Sequence, residues 1–205
     1  SSDKAVRPSS IMGMTKRFSE ILIQNYYNDN KLNLVFSIVR FGNVIGSTGS
    51  VIPIFIDQIQ NNKPLTITDP NATRFFMTVN EACKLVLESI VLRNKNNIYL
   101  FKMGEPIKII DLAHKIASFF GSKISNNEGE WGVKINYTGL KKGEKINEEL
   151  LVDNDSESTE NENIYISKEK FIKIDVRQSI IELHKLLDDN NKNNLIKFLK
   201  MKIVN

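Results

Sequence analysis

Apolar positions recur at two different periods along this chain, and the alternation between them sets the expected architecture. Ile11, Met14, Phe18, Ile21 and Leu22 fall at helical spacing after Pro8, and Ser9 or Ser10 can cap a helix that runs to about Asp29. Residues 34–40 are short, mostly apolar and rich in β-formers, which predicts a buried strand. A Gly/Asn/Ser-rich loop covers 42–50, and the apolar run 51–60 reads as a helix with Pro53 in its first turn. Strands are predicted at 65–68 and 74–79, then a helix capped by Asn80 that reaches about Leu92. Residues 98–101 predict another strand, 109–120 a helix stopped at Gly121, 133–137 a strand and 145–151 a short helix. The acidic stretch 153–163 has almost no apolar residue and predicts a mobile loop, and helices near 176–189 and 193–203 close the chain. Strands alternate with helices and no repeat is visible, which indicates the α/β class.

Composition narrows the picture without assigning a role. The 205 residues are 41% hydrophobic and 25% charged, as in an ordinary globular protein of one large or two small domains. No apolar run approaches the roughly 18 residues of a membrane span. The first residues, Ser1-Ser2-Asp3-Lys4, have no signal-peptide pattern and no initiator Met, so the chain is expected to be part of a longer protein. The single cysteine, Cys83, is expected to be a small core residue in a reducing compartment. A net charge of +4 tolerates an anionic substrate, but with no basic face or stacking motif it does not point to nucleic acid. His114 and His184 have no partner at metal-ligand spacing and are read as surface or boundary residues; no metal site is expected.

Candidate chemistry concentrates near the start. Ser2-Asp3-Lys4 sets a hydroxyl, a carboxylate and an ammonium side by side before the first helix, and Met12 and Lys16 share a face of that helix. Such a cluster can shuttle protons if it is buried, but spacing alone favours a solvated surface pair. Arg40, at the end of a buried strand, reads either as a structural ion pair or as a ligand contact, and Asn43 either as a turn residue or as a ligand. Arg74 beside Phe75-Phe76 can stack on a ring or bind phosphate. The loop Gly42-x-x-x-Gly46-x-x-Gly49 lacks the spacing of the dinucleotide fingerprint.

Taken as a string, Ser2-Asp3-Lys4-Ala5-Val6-Arg7-Pro8 with Met12-Gly13-Met14-Thr15-Lys16-Arg17 resembles the active-site segment of the CapD-like nucleotide-sugar 4,6-dehydratases. These belong to the extended short-chain dehydrogenase/reductase superfamily, whose signature is Tyr-x-x-x-Lys. Lys16 matches the lysine, and Met12 stands where the tyrosine would be. Arg40-Phe41-Gly42-Asn43-Val44-Ile45-Gly46-Ser47 and Gly49-Ser50-Val51-Ile52-Pro53 continue the resemblance. So do Thr66-Ile67-Thr68-Asp69-Pro70, Thr73-Arg74-Phe75-Phe76-Met77, Met103-Gly104-Glu105-Pro106 and Thr138-Gly139-Leu140-Lys141-Lys142-Gly143-Glu144-Lys145. In the last of these, Lys141-Lys142 replaces the usual Arg-Pro, exchanging a forked phosphate contact for a point charge.

The resemblance implies the C-terminal part of an NAD(P)-binding Rossmann domain with a small α/β substrate-binding domain. Residues 1–44 would be Rossmann with the active-site helix, 45–79 and 105–152 substrate-binding, 80–104 the returning Rossmann helix and strand, and 153–205 an acidic loop and C-terminal helices. It implies conversion of UDP-N-acetylglucosamine to a UDP-4-keto-6-deoxy sugar for surface polysaccharide, capsule or lipopolysaccharide. NAD (or NADP) would serve as cofactor, and this piece alone would be inactive. Lys4 would take the C5 proton, Asp3 protonate the leaving C6 hydroxyl and Ser2 bond near the C4 oxygen, with Met12 at the tyrosine position. Lys16 and Arg40 would contact cofactor; Asn43, Ser50, Val51, Pro53, Thr66, Arg74, Lys141 and Glu144 would contact the UDP-sugar. The helix between Ser10 and Asp29 would mediate homo-oligomers. The location implied is cytoplasmic, with membrane anchoring only through segments upstream. The alternatives are a non-catalytic UDP-sugar-binding module and a UDP-sugar 4-epimerase.

Overall fold

Backbone hydrogen bonding divides the chain between helices and short strands, and the α-helices fall where the apolar pattern leads one to expect them. A computed structural model describes residues 1–30, 36–92, 97–125, 131–149 and 156–204. A 3-10 turn, Asp3–Ala5, precedes helix α1 (Ile11–Asn30); strands β1 (Ile38–Arg40) and β2 (Asn43–Val44) and helix α2 (Val51–Gln60) follow. Next come β3 (Leu65–Ile67), β4 (Thr73–Arg74), β5 (Phe76–Met77), α3 (Val79–Val91), β6 (Ile98–Phe101), β7 (Ile107–Lys108) and α4 (Ile109–Phe119). The chain ends with β8 (Ile135–Tyr137), β9 (Ser156–Ser158), β10 (Ile164–Ser167), α5 (Val176–Asp188) and α6 (Lys192–Ile203). Among the described residues, no helix is long and apolar enough to cross a membrane.

Two compact units share these elements. The first comprises Ser1–Phe41, Lys84–Lys102 and Glu149–Asn205. Its sheet runs β1-β6-β10-β9, with β1 parallel to β6 and the other pairs antiparallel. Ile38, Ile98 and Leu100 form the buried core of that sheet, and Phe36 and Tyr165 pack against them. Helix α1 is covered on another side by the tail: Met14 and Phe18 pack with Phe198 and Leu199, flanked by Leu22, Leu183 and Leu186. Asn25, buried on α1, donates to the Ile172 carbonyl and accepts from the Ile174 N–H, fixing the segment that leads into α5.

The second unit comprises Gly42–Cys83 and Met103–Glu148. Its strands form three two-stranded pairs, β2-β5 and β3-β8 parallel and β4-β7 antiparallel. Phe55 and Ile59 of α2, Leu65 and Ile67 of β3, and Ile109, Ala113 and Ala117 of α4 make one core. The helical spacing of the α2 and α4 residues and the period of two in β3 place them there.

Several expectations are corrected. The strand expected at 74–79 breaks into β4 and β5, and Val79 belongs to α3, because Thr78 rather than Asn80 starts that helix. The Glu81 N–H donates to the Thr78 hydroxyl oxygen, and the Glu81 carboxylate accepts the Thr78 N–H at 2.7 Å, a reciprocal capping box. Residues 145–149 are not helical: Ile146 accepts from the Thr73 N–H and Asn147 from its hydroxyl, so β4 holds this segment extended. Leu150 and Leu151 lie outside the described residues, as do 153–155 of the acidic stretch. Beyond those, the expected loop is a hairpin in which β9 pairs with β10 and Thr159 and Asn161 hydrogen-bond across the turn. Cys83 is exposed, because Ala82, Leu85 and Ser89 form the buried face of α3 and Cys83 points away from it. Of the strand expected at 34–40, β1 keeps Ile38–Arg40, and 34–35 are outside the described residues.

Candidate active site and nucleotide pocket

In the first unit the Ser2-Asp3-Lys4 segment is a capped 3-10 turn, not a solvated pair. The Ser2 hydroxyl oxygen accepts the Lys4 N–H, and the Asp3 N–H donates to the Phe41 carbonyl just past β1. Asp3 is 1% exposed. Its Oδ1 accepts from the Ser2 hydroxyl at 2.8 Å and from Lys4 Nζ at 2.9 Å, while its Oδ2 is buried without a partner. A buried carboxylate with one oxygen unsatisfied costs free energy that only a further donor can recover, and this directs attention to the turn as a site.

Gly13 explains how the turn seats on α1. A Cβ there would lie 2.2 Å from the Lys4 carbonyl oxygen and 3.1 Å from Pro8 Cβ, so only hydrogen allows this approach. Met12 and Lys16 flank the contact on the exposed face of α1, with Met12 52% exposed. Lys16 is therefore open to a ligand.

Arg40 is not. Expected as a cofactor contact, it is 1% exposed, and its guanidinium donates twice to Glu20 and twice to Glu169 at 2.6–3.0 Å. Arg17 pairs with the same two carboxylates, closing a ring of two arginines and two glutamates. The ion-pair reading of Arg40 prevails over the ligand reading. Burial pushes the Glu20 carboxyl upward, but hydrogen bonds from Arg40 and Ser1 and the charge of Arg17 outweigh it and hold Glu20 below its ordinary 4.5. Burial likewise opposes the Arg40 charge, and the two carboxylates override it. Glu20 and Glu169 were missed in the sequence. Glu20 gave one signal, lying three residues after Arg17 on the arc that also carries Phe18 and Ile21.

In the second unit a cleft of about 630 Å³ is lined by Asn43, Ser50, Val51, Thr66, Arg74, Lys141 and Glu144. Seven of the eight residues expected at substrate thus share one cavity; Pro53 is exposed on α2 and does not line it. The N-terminal end of α2 opens on the cleft through Ser47, Thr48, Gly49 and Ser50, and its backbone amides and dipole favour an anion there. Ser50 caps α2 without a side-chain bond, and its hydroxyl is buried without a partner. Arg74 is aimed by the carbonyls of Thr73 and Ile146 and by Glu144 at 2.9 Å. Glu144 also accepts from the Thr68 hydroxyl and the Lys141 N–H. Thr68 and Thr138 line the cleft too and were not singled out, although the alternation along β3 puts Thr68 on the side of Thr66. Among the described residues no group of His, Cys, Asp or Glu could hold a metal ion.

Comparison with known proteins adds to this geometry. The family model described as "Polysaccharide biosynthesis protein" matches residues 1–169. The capsular polysaccharide biosynthesis protein CapD of Staphylococcus aureus is 42% identical over 96% of this chain and 32% of its own length. A UDP-glucose 4-epimerase of Rickettsia bellii is 39% identical over 74% of this chain and 42% of its own. Among solved structures, Pen from Bacillus thuringiensis superposes with a TM-score of 0.71 at 34% identity, covering 84% of this chain and 52% of that one. The chain thus spans about a third to a half of the length of these relatives, and its fold is that of the extended short-chain dehydrogenase/reductase enzymes.

Proposed function

The chain belongs to the polysaccharide biosynthesis protein family, and from that premise we propose that the whole protein is a nucleotide-sugar 4,6-dehydratase acting on UDP-N-acetylglucosamine. The observation that carries the reading is the buried Asp3 carboxylate paired with the half-buried Lys4 amine beside a helix whose tyrosine position holds Met12. A thioether takes no proton at physiological pH, so the C4 hydroxyl proton passes to another group, Asp3 or an ordered water. Dehydration across C5–C6 needs a base and an acid together. A Lys4 amine beside a protonated Asp3 supplies both, and the same pair in its ionic form is what remains after one elimination. The amine takes the C5 proton, the carboxylic acid gives its proton to the departing C6 hydroxyl, and water leaves as the C5–C6 double bond forms. Transfer of a proton from Lys4 Nζ back to Asp3 Oδ1 over 2.9 Å resets the pair. Ser2, bonded to Oδ1, keeps that oxygen oriented.

NAD, when bound, would take hydride from C4, which makes the C5 proton acidic, and return it to C6 after water has left; the proton released by the C4 hydroxyl matches the one that C5 then regains, so the cycle closes. Lys16, exposed on α1 with Met12, fits a contact to the nicotinamide ribose, and Arg40, occupied by carboxylates, does not. The cleft of the second unit suits the nucleotide diphosphate: Arg74 and Lys141 provide charge, the α2 N-terminus provides amides, and Ser50 and Asn43 provide polar groups.

In the whole protein, Asp3→Asn and Lys4→Ala are each expected to lower turnover of UDP-N-acetylglucosamine by about 100-fold or more while UDP affinity stays unchanged. Arg74→Ala is expected to weaken UDP binding by about 2 kcal/mol, read by calorimetry. Wild-type turnover in both turn variants sinks the dehydratase reading. The likeness to a UDP-glucose 4-epimerase supports a second reading; a product that keeps its C6 hydroxyl would establish it, and UDP binding without turnover would leave a sugar-nucleotide-binding module.

A further inference from the structure

The tail beyond residue 153 carries none of the matched motifs, yet one of its side chains reaches the support of the catalytic turn. We infer that Glu169 is a positioning residue for Ser2-Asp3-Lys4, acting through the buried ring Arg17–Glu20–Arg40–Glu169.

The turn rests on two supports. One is the Phe41 carbonyl, which follows Arg40 at the end of β1 and accepts the Asp3 N–H. The other is Gly13 on α1, where the Lys4 carbonyl lies too close for any side chain. The spacing between β1 and α1 therefore sets the position of Asp3 and Lys4. The ring spans that gap: Arg40 comes from β1, Arg17 and Glu20 from α1, one to two turns beyond Gly13.

Glu169 completes it. Its Oε1 accepts from Arg40 at 2.6 Å, and its Oε2 accepts from Arg40 at 3.0 Å and from Arg17 at 2.9 Å. Without Glu169 two guanidinium groups would face the one carboxylate of Glu20 in a buried setting, and their repulsion would press β1 and α1 apart. Glu169 is itself held in place, because its N–H donates to the Ser167 hydroxyl oxygen at the end of β10, a strand hydrogen-bonded to β6, which pairs with β1. The strands thus deliver the carboxylate from the tail to the ring. Calling the turn catalytic rests on the proposed dehydratase activity; the mechanical link does not.

Amide hydrogen exchange on the 205-residue chain tests the link. In Glu169→Ala the Asp3, Ala5 and Val6 amides, all bonded within or below the turn, are expected to exchange about tenfold faster relative to the β6 amides than in wild type. Glu169→Asp is expected to recover most of the protection. If Glu169→Ala does not fold, Glu169→Gln serves the same comparison, since its amide fills the space without the charge that balances Arg17 and Arg40, and faster turn exchange is again expected. Exchange in the turn that is unchanged, or that rises only in step with β6, overturns the inference. In the whole protein the same variant is expected to lower kcat about tenfold with KM unchanged, and an unchanged kcat beside a lowered one in Asp3→Asn also overturns it. Unaltered exchange would leave the dehydratase reading standing, whereas turnover surviving Asp3→Asn would remove that reading and leave the mechanical link.

Discussion

At Gly13 a single hydrogen decides whether the turn can close on α1. Gly13→Ala puts a methyl carbon 2.2 Å from the Lys4 carbonyl oxygen, so the turn must lift. Urea unfolding is expected to report a loss of about 2 kcal/mol, with the usual small helical gain from alanine overridden. Ser179 gives the opposite case. Its hydroxyl is buried on α5 with no hydrogen-bond partner, so Ser179→Ala is expected to stabilise the chain by about 1 kcal/mol in the same measurement. The contact between Asp3 and Lys4 is local, although their spacing alone favours a solvated surface pair. Asp3 and Lys4 are adjacent, and their contact needed only a capped turn to bury it. Sequence reading failed for Arg40, whose partner Glu169 lies 129 residues away and is brought in by strand pairing that no local pattern announces. Cys83 misled for another reason: α3 is apolar on its exposed side as well, where Val79, Leu87, Ile90 and Val91 lie open, so periodicity could not tell the two faces apart.

Element boundaries follow side-chain hydrogen bonds more closely than hydrophobic spacing. Helix α2 begins and ends where its apolar run does. Helix α3 begins earlier than expected, because Thr78 and Glu81 satisfy each other's amides. Thr78→Ala removes one side of that box and is expected to cost about 1 kcal/mol in urea unfolding. The 145–149 segment shows the converse. Its sequence tolerates a helix, but Thr73 and Arg74 capture the Ile146 carbonyl and fix an extended backbone at the edge of the cleft. The acidic hairpin was illegible because β9 is polar and is held by the backbone ladder and the Thr159–Asn161 contacts, while only β10, which buries Ile164 beside β6, is anchored in the core. The cleft was better read than its surroundings, since its lining residues sit in motifs whose spacing survives small errors in strand ends.

For the molecule as a whole, the buried ring ties stability to acidity. Glu20 titrates below its ordinary 4.5 in the folded chain, so its contribution is complete above that value and is lost as pH falls through the depressed one. Urea midpoints are expected to be flat from neutral pH to about 5 and to drop below it, and Glu20→Gln is expected to lose about 3–5 kcal/mol at neutral pH while flattening the acid limb. The α/β class was legible from alternating periods alone. The interleaving of two units was not legible from those periods and came from the family resemblance, since each unit is assembled from separate stretches of chain. That arrangement has a consequence during synthesis. Helix α1 leaves the ribosome with Met14 and Phe18 bare, long before α6 brings Phe198 and Leu199 to cover them. At ordinary translation speeds the oily stripe waits roughly ten seconds to half a minute for its lid, an interval in which a nascent-chain chaperone has a defined place to hold.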